Sequence, residues 1–223
     1  MPGPQAGLRP SSQRKRRAIL DAAELVFVRD GYDAAVVDEI AERSGVSKQT
    51  VYAHFGSKQA LFVEVVVGAT TTASDAVHVD VADPDSPADL PDYLERYGLR
   101  QLDVVLRPRL LGLRRLAIAE VRRFPQLGQA FWTGGPGRTM TAMRDRFAGF
   151  HDAGLLEILD PDAAARTFNW LLMGNPLNAA MLLGDAAIPD LAERQTIAEE
   201  ATRVFLAAYG SATRDARRHL PTG

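Results

Sequence analysis

The 223-residue chain contains no cysteine. Disulfide frameworks and thiolate metal sites are therefore excluded, and the composition fits a reducing cytoplasm. Histidine is scarce: His54, His78, His151 and His219 are scattered, and none has metal-ligand spacing. There is no nucleophile elbow, no phosphate loop and no dinucleotide fingerprint; Gly134-Gly-Pro-Gly137 precedes no lysine and follows no strand. Neighbouring carboxylates such as Glu199-Glu200 point different ways on a helix. No catalytic residue, metal or cofactor is expected. No apolar run approaches the length of a bilayer span, and the basic N-terminal stretch lacks the apolar region of a signal peptide. No membrane partner is expected, and the expected location is the cytoplasm. Strand-like alternation and internal repeats are also missing, which leaves an all-α reading.

Net charge is only −2, but it is unevenly spread. Residues 1–60 hold nine Lys/Arg against seven Asp/Glu, a net of +2, and the remainder carries −4. Five of the nine bases are Arg9, Arg14, Lys15, Arg16 and Arg17. A basic head on an acidic body suits a reader of nucleic acid; the bland alternative is a solvated tract ahead of a helix.

The stretch from Val37 to Phe55 carries the most information. Ile40 and Ala41 are the inward positions of a first short helix, Val37 to Arg43. Gly45 can take the positive φ of a sharp turn, Val46 plugs the angle, and Ser47 is an N-cap. In the second helix Val51 and Phe55 lie four apart and share one buried stripe. Gln49 and Ala53 fall opposite, with Lys48, Thr50, Tyr52 and His54 around them. This is the layout of a helix-turn-helix, whose second helix enters the DNA major groove.

Gly45-Val-Ser-Lys-Gln-Thr-Val-Tyr-Ala-His-Phe-Gly-Ser-Lys58, followed by Ala60-Leu-Phe62, resembles the core of the TetR family of bacterial transcriptional regulators, over about Arg14 to Val66. The resemblance implies an all-helical homodimer with an N-terminal three-helix DNA-binding domain and a C-terminal domain that binds a small molecule and dimerises. It implies release of the operator when a ligand changes the separation of the two heads. It also implies DNA contacts, mostly to the backbone, at Thr50, Tyr52, His54 and Lys58. From their chemistry, Gln49 suits adenine, Lys48 suits guanine, and the methyls of Thr50 and Ala53 suit thymine. Ser47 and Arg16 complete the expected DNA-contacting set. One departure stands out: Ala35 and Val36 occupy the place where the family has a capping Ser or Thr. A valine cannot cap, at a cost of about 1 kcal/mol, so the backbone contact there is expected to be weaker or made by an N–H.

The expected organisation is a disordered tail at 1–11, a DNA-binding domain at 12–67 (motif about 36–55), a ligand-binding and dimerisation domain at 68–212, and a flexible tail at 213–223. Helix 1 is expected to be capped near Ser11 or Ser12 and to end at Gly31. The fourth helix is expected to run to about Ser74, and later helices to span Leu90–Leu106, Leu110–Phe124 (stripe Leu113, Leu116, Ala117, Val121) and Thr139–Ala153, with Gly134–Gly137 a loop. Phe131, Trp132, Met140, Met143, Arg144, Phe147, Asn169, Trp170 and Met173 are candidates for the ligand pocket, because pockets are apolar with a few orienting polar groups; plain core is the alternative for each. The last two helices, about 161–183 and 190–209, are rich in alanine (163–165, 179, 180, 198, 201, 207, 208). They are the expected dimer interface, the alternative being that alanine merely favours helix.

These features point to a repressor that binds a palindromic double-stranded operator and is released by a small-molecule effector. An all-helical enzyme would instead convert its ligand to product, and a DNA-compacting protein would show no operator preference. Deleting residues 1–17 is expected to flatten the dependence of log affinity on log salt, because fewer counterions are released. An unchanged slope in salt titrations would mean the basic tract is only solvated.

Overall fold

The structure, a computed structural model, describes residues 10–78 and 83–211. The tail expected at 213–223 and residues 1–9 of the other tail lie outside the described residues. The helices are α1 (Pro10–Ala34), α2 (Val37–Ser44), α3 (Lys48–Phe55), α4 (Lys58–His78), α5 (Leu90–Val105), α6 (Pro108–Glu120), α7 (Pro125–Gly134), α8 (Pro136–Asp152), α9 (Pro161–Leu183) and α10 (Leu191–Tyr209). Among the described residues the only β-type pairing is one isolated bridge between Leu156 and Gly210.

The boundaries follow local chemistry. Asp160 accepts from the Ala163 N–H at 3.0 Å and caps α9, with Pro161 at its start and Gly184 at its end, as expected. Asp190 and Glu193 form a reciprocal capping box, so α10 opens at Leu191, after Pro189. Several expected edges move. Helix α1 already begins at Pro10, ahead of the cap expected near Ser11 or Ser12; as expected it breaks at Gly31, where φ is 79°. Helix α4 runs on past Ser74 to His78. Pro108 opens α6 ahead of the expected start at Leu110, because a proline at a helix start loses no hydrogen bond. Val121 falls beyond α6 and is exposed, so it is not part of the apolar stripe. The Gly134–Gly137 loop shrinks to Gly135, since Pro136 again serves as a helix opener.

The chain divides into two compact units. The first joins residues 1–69, as far as they are described, to 112–131; the second joins 70–111 to 132–223, again as far as described. Residues 112–131, expected in the second domain, thus pack with the first. In the first unit Ile19, Phe27, Ile40, Val51 and Leu61 are buried. The Phe27 and Phe62 rings lie 4.8 Å apart, and Tyr32 meets Phe124 edge-on at 4.8 Å. In the second unit an aromatic chain forms the core. Phe205 is wholly buried, stacked on Phe147 at 4.9 Å and edge-on to Phe168 at 5.1 Å. Helix α5 approaches α9 so closely at Gly98 that a Cβ there would stand 2.8 Å from a Leu172 methyl.

One helix corrects the expectation about apolar runs. By length and composition alone, α4 could cross a membrane. Lys58, Glu64 and Asp75 interrupt it, so no continuous apolar stretch appears, yet its average is apolar. Its Leu61, Phe62, Val65 and Val66 are buried, as in the core helix of a globular unit.

Candidate functional site

Helix α2 starts at Val36 with no side-chain cap, as the valine requires, and carries Asp38 and Glu39 in its first turn. It ends at Gly45, which is left-handed at φ 68° and whose N–H reaches back to Ala41 and Glu42. A side chain at this φ is strained, which is why the turn needs glycine. Ser47 then caps α3, accepting from the Thr50 N–H at 3.2 Å. Val51 and Phe55 are buried, and Lys48, Gln49, Tyr52 and Ala53 are exposed, with Thr50 and His54 half-buried at the edges. These four and Ser47 are the exposed members of the nine residues expected to face DNA; Arg16, Thr50, His54 and Lys58 are half-buried.

The charges around this face are more engaged than the sequence indicates. Lys48 reaches across the turn to Asp38 at 3.1 Å. Arg16 donates to Glu64 at 2.7 Å, with its guanidinium 5.2 Å from the Phe55 ring centre. Lys58 donates to the Asp33 carbonyl at 3.0 Å and lies 4.9 Å from the Tyr32 ring centre. Arg29 bonds both Asp30 and Glu39, and Arg43 bonds Glu39 as well. Hydrogen bonds from Arg29 and then Arg43 hold the Glu39 carboxyl down at about 2. This clasp joins α1 to α2, and neither it nor the Asp38–Lys48 pair was anticipated from sequence. Arg14 and Lys15 are exposed and make no ion pair among the described residues. The salt-slope test is therefore cleaner with Arg14→Ala and Lys15→Ala, which leave the Arg16 contacts intact.

The nine pocket candidates do not converge. Met143, Phe147 and Met173 are buried in the second unit's core, with Met140 half-buried against it. Phe131 is buried in the first unit beneath the Arg114 guanidinium, 5.0 Å from its ring centre. Trp132 and Trp170, expected in an apolar pocket, are instead 59% and 65% exposed. Trp170 is on the outer face of α9, beside a shallow depression with Ala163, Arg166, Thr167 and Leu171. Arg144 bonds its own neighbour Asp145 at 2.6 Å. Only Asn169 touches a polar cluster, accepting from the Gln101 amide at 2.8 Å. Sequence reasoning missed that cluster. Among the described residues, both ring nitrogens of His78, the Tyr97 hydroxyl and the Gln101 carbonyl oxygen are buried without a hydrogen-bond partner. Each such orphan costs about 1–3 kcal/mol. The available signal was Tyr93, Tyr97 and Gln101 at four-residue spacing on α5.

Residues 92–211, more than half of the chain, match the family model of the AefR-like transcriptional repressor C-terminal domain, and residues 19–65 match that of the bacterial regulatory proteins of the tetR family. The chain belongs to the TetR family of transcriptional regulators. Its family is one of regulators and not enzymes. A TetR-family regulator from Mesorhizobium loti is 33% identical with a TM-score of 0.82, covering 91% of this chain and 100% of its own. The flavonoid-responsive regulator FrrA is 28% identical with a TM-score of 0.70, covering 89% of this chain and 98% of its own. The transcriptional activator FasR of Mycolicibacterium smegmatis is 47% identical over 64 residues, 29% of each chain. The chain thus aligns with under a third of that curated relative.

In this TetR-family head, Gly45→Ala is expected to lower stability by about 1–2 kcal/mol, since an L side chain at left-handed φ is strained. Denaturant midpoints measure this. An unchanged midpoint would show that the turn tolerates another backbone shape.

Proposed function

We propose that the protein is a cytoplasmic, homodimeric repressor that reads a short palindromic operator with α3 and releases it when a small molecule binds the helical body. The observation that carries the reading is the split of α3: Val51 and Phe55 buried, Lys48, Gln49, Tyr52 and Ala53 turned outward. Short polar side chains on such a helix suit base edges. The half-buried Lys58 and His54 suit phosphates at the margins. The repressor sense is supported by the description of the matched C-terminal domain, and effector response by the flavonoid-responsive relative.

Dimerisation is supported by the outer faces of the last two helices. Trp170, Leu182, Leu183 and Leu191 are 53–81% exposed, and Ala207 and Ala208 are also exposed. Several large exposed apolar side chains on two helices suit an interface. The alanine argument narrows, however: Ala164, Ala165, Ala180, Ala198 and Ala201 are buried within the chain and serve its own packing.

Selection of bound genomic fragments is expected to return an inverted repeat; no preference among duplexes at moderate ionic strength would end the proposal. Gln49→Ala should change which base is preferred, while Tyr52→Ala and Lys58→Ala should weaken binding to all duplexes alike. Gel shifts on operator and scrambled DNA separate the two patterns, and unaltered specificity in Gln49→Ala would be the contrary result. Trp170→Arg should shift the protein from dimer to monomer in sedimentation and weaken operator binding by about tenfold or more, since two linked heads bind with a shared effective concentration. A variant that stays dimeric would move the interface elsewhere.

A further inference from the structure

In the second unit, His78 ends α4 while Tyr93, Tyr97 and Gln101 follow one another along one face of α5. The His78 and Tyr97 rings are 5.9 Å apart and the Tyr93 and Tyr97 rings 6.3 Å. Tyr97 and Gln101 are each only 2% exposed. Four polar atoms here, two on His78 and one each on Tyr97 and Gln101, are shut off from water with nothing to bond among the described residues. Folded proteins pair almost all such atoms, so a concentration where the end of α4 meets α5 asks for a partner beyond the described residues. At one end of the row Arg146 donates to the Tyr93 hydroxyl at 3.0 Å. No carboxylate among the described residues pairs with that guanidinium.

The chemistry of the row restricts what fits. Burial, helped by the charges of Arg146 and Arg138, lowers the His78 pKa, and burial raises that of Tyr97. Both groups are therefore neutral at pH 7, and each has a proton to donate. With the Arg146 charge beside them, they suit an acceptor-rich, negatively charged group. The Gln101 oxygen, at the far end, suits a donor. The walls are aromatic: Phe150 is edge-on to Tyr93 at 5.2 Å, and Phe168 is 6.4 Å from Tyr97. A flat ring packs well against such neighbours. The eight-residue step from Tyr93 to Gln101 covers about 12 Å of helix, the length of one ring with a short arm.

The geometry points to this row as the effector site and to an aromatic carboxylic acid bearing a ring hydroxyl as the effector class. Its carboxylate faces Arg146, its ring lies against Tyr93, Tyr97 and Phe168, and its hydroxyl donates to Gln101. The inference rests on the regulator reading above and names the effector for it. Entry of the ring parts His78 from α5, which moves the last residue of the helix that begins at Lys58 in the head.

Calorimetric titration of the full chain, without DNA, tests the assignment with three probes: 4-hydroxycinnamate, its neutral amide and hexanoate. The acid is expected to bind, the amide about tenfold or more weakly because a charged hydrogen bond is lost, and hexanoate not measurably. Arg146→Gln should weaken the acid by about tenfold or more and erase the preference over the amide. Tyr97→Phe should weaken the acid while leaving the thermal midpoint of the ligand-free protein unchanged or raised, because deleting an unpaired buried hydroxyl removes a penalty. A purely structural role would lower that midpoint and leave affinity alone, and this result overturns the proposal. So does the absence of heat with the acid, equal binding of acid and amide, or undiminished affinity in Arg146→Gln. With no DNA in the cell, such failures strike the effector class only; failure of the regulator reading would appear in the operator selection.

Discussion

Helix α3 is eight residues long, and a helix of that length is marginal in water on its own. It holds its shape because Val51 and Phe55 are buried in the head and because Ser47 closes its first turn. The same burial determines which side chains remain outside. Rotating the helix to bury Gln49 would turn Val51 and Phe55 outward, so packing and presentation are one constraint. The kinked end of α1, the left-handed Gly45 and the buried Ile40 and Ala41 of α2 all serve to hold that orientation.

Charge is the second organising feature of the head, and it works by placement more than by energy. Pairs as exposed as Asp38–Lys48 contribute about 0–1 kcal/mol each. Yet Asp38 draws the Lys48 ammonium along α2, and Glu64 draws Arg16 across Phe55. A phosphate or a base edge must compete with these partners. The usable positive charge of the head is therefore smaller than its residue count, and Arg14 and Lys15 stand apart from the engaged bases.

The second unit shows the opposite balance. Its core is an aromatic chain through Phe147, Phe168, Phe205 and Tyr209, whose neighbouring rings lie 4.7–5.9 Å apart. Beside it, His78, Tyr97 and Gln101 keep polar atoms buried and unpaired. A unit selected for stability alone would have filled those positions with apolar residues. The effector site proposed above accounts for the departure, since a bound ligand would give such atoms a partner.

Residue order alone determined the helical class, the helix-turn-helix and its outward face, the caps at Ser47 and Asp160, and the stops at Gly31, Gly45 and Gly184. All of these depend on interactions within a few residues: side-chain periodicity, a hydroxyl or carboxylate reaching an N–H three positions on, a glycine at positive φ. Tertiary structure decided the rest. It placed residues 112–131 with the head, put Trp132 and Trp170 outside, and enclosed Met143 and Phe147 in the core. It also brought His78 beside Tyr97, 19 positions away in sequence, and within reach of the Arg146 charge. The reason is that an apolar or aromatic residue looks the same in sequence whether it lines a core, a pocket or an outer face. Only the packing of distant helices settles which side it turns to, and only that packing leaves a polar atom without a partner.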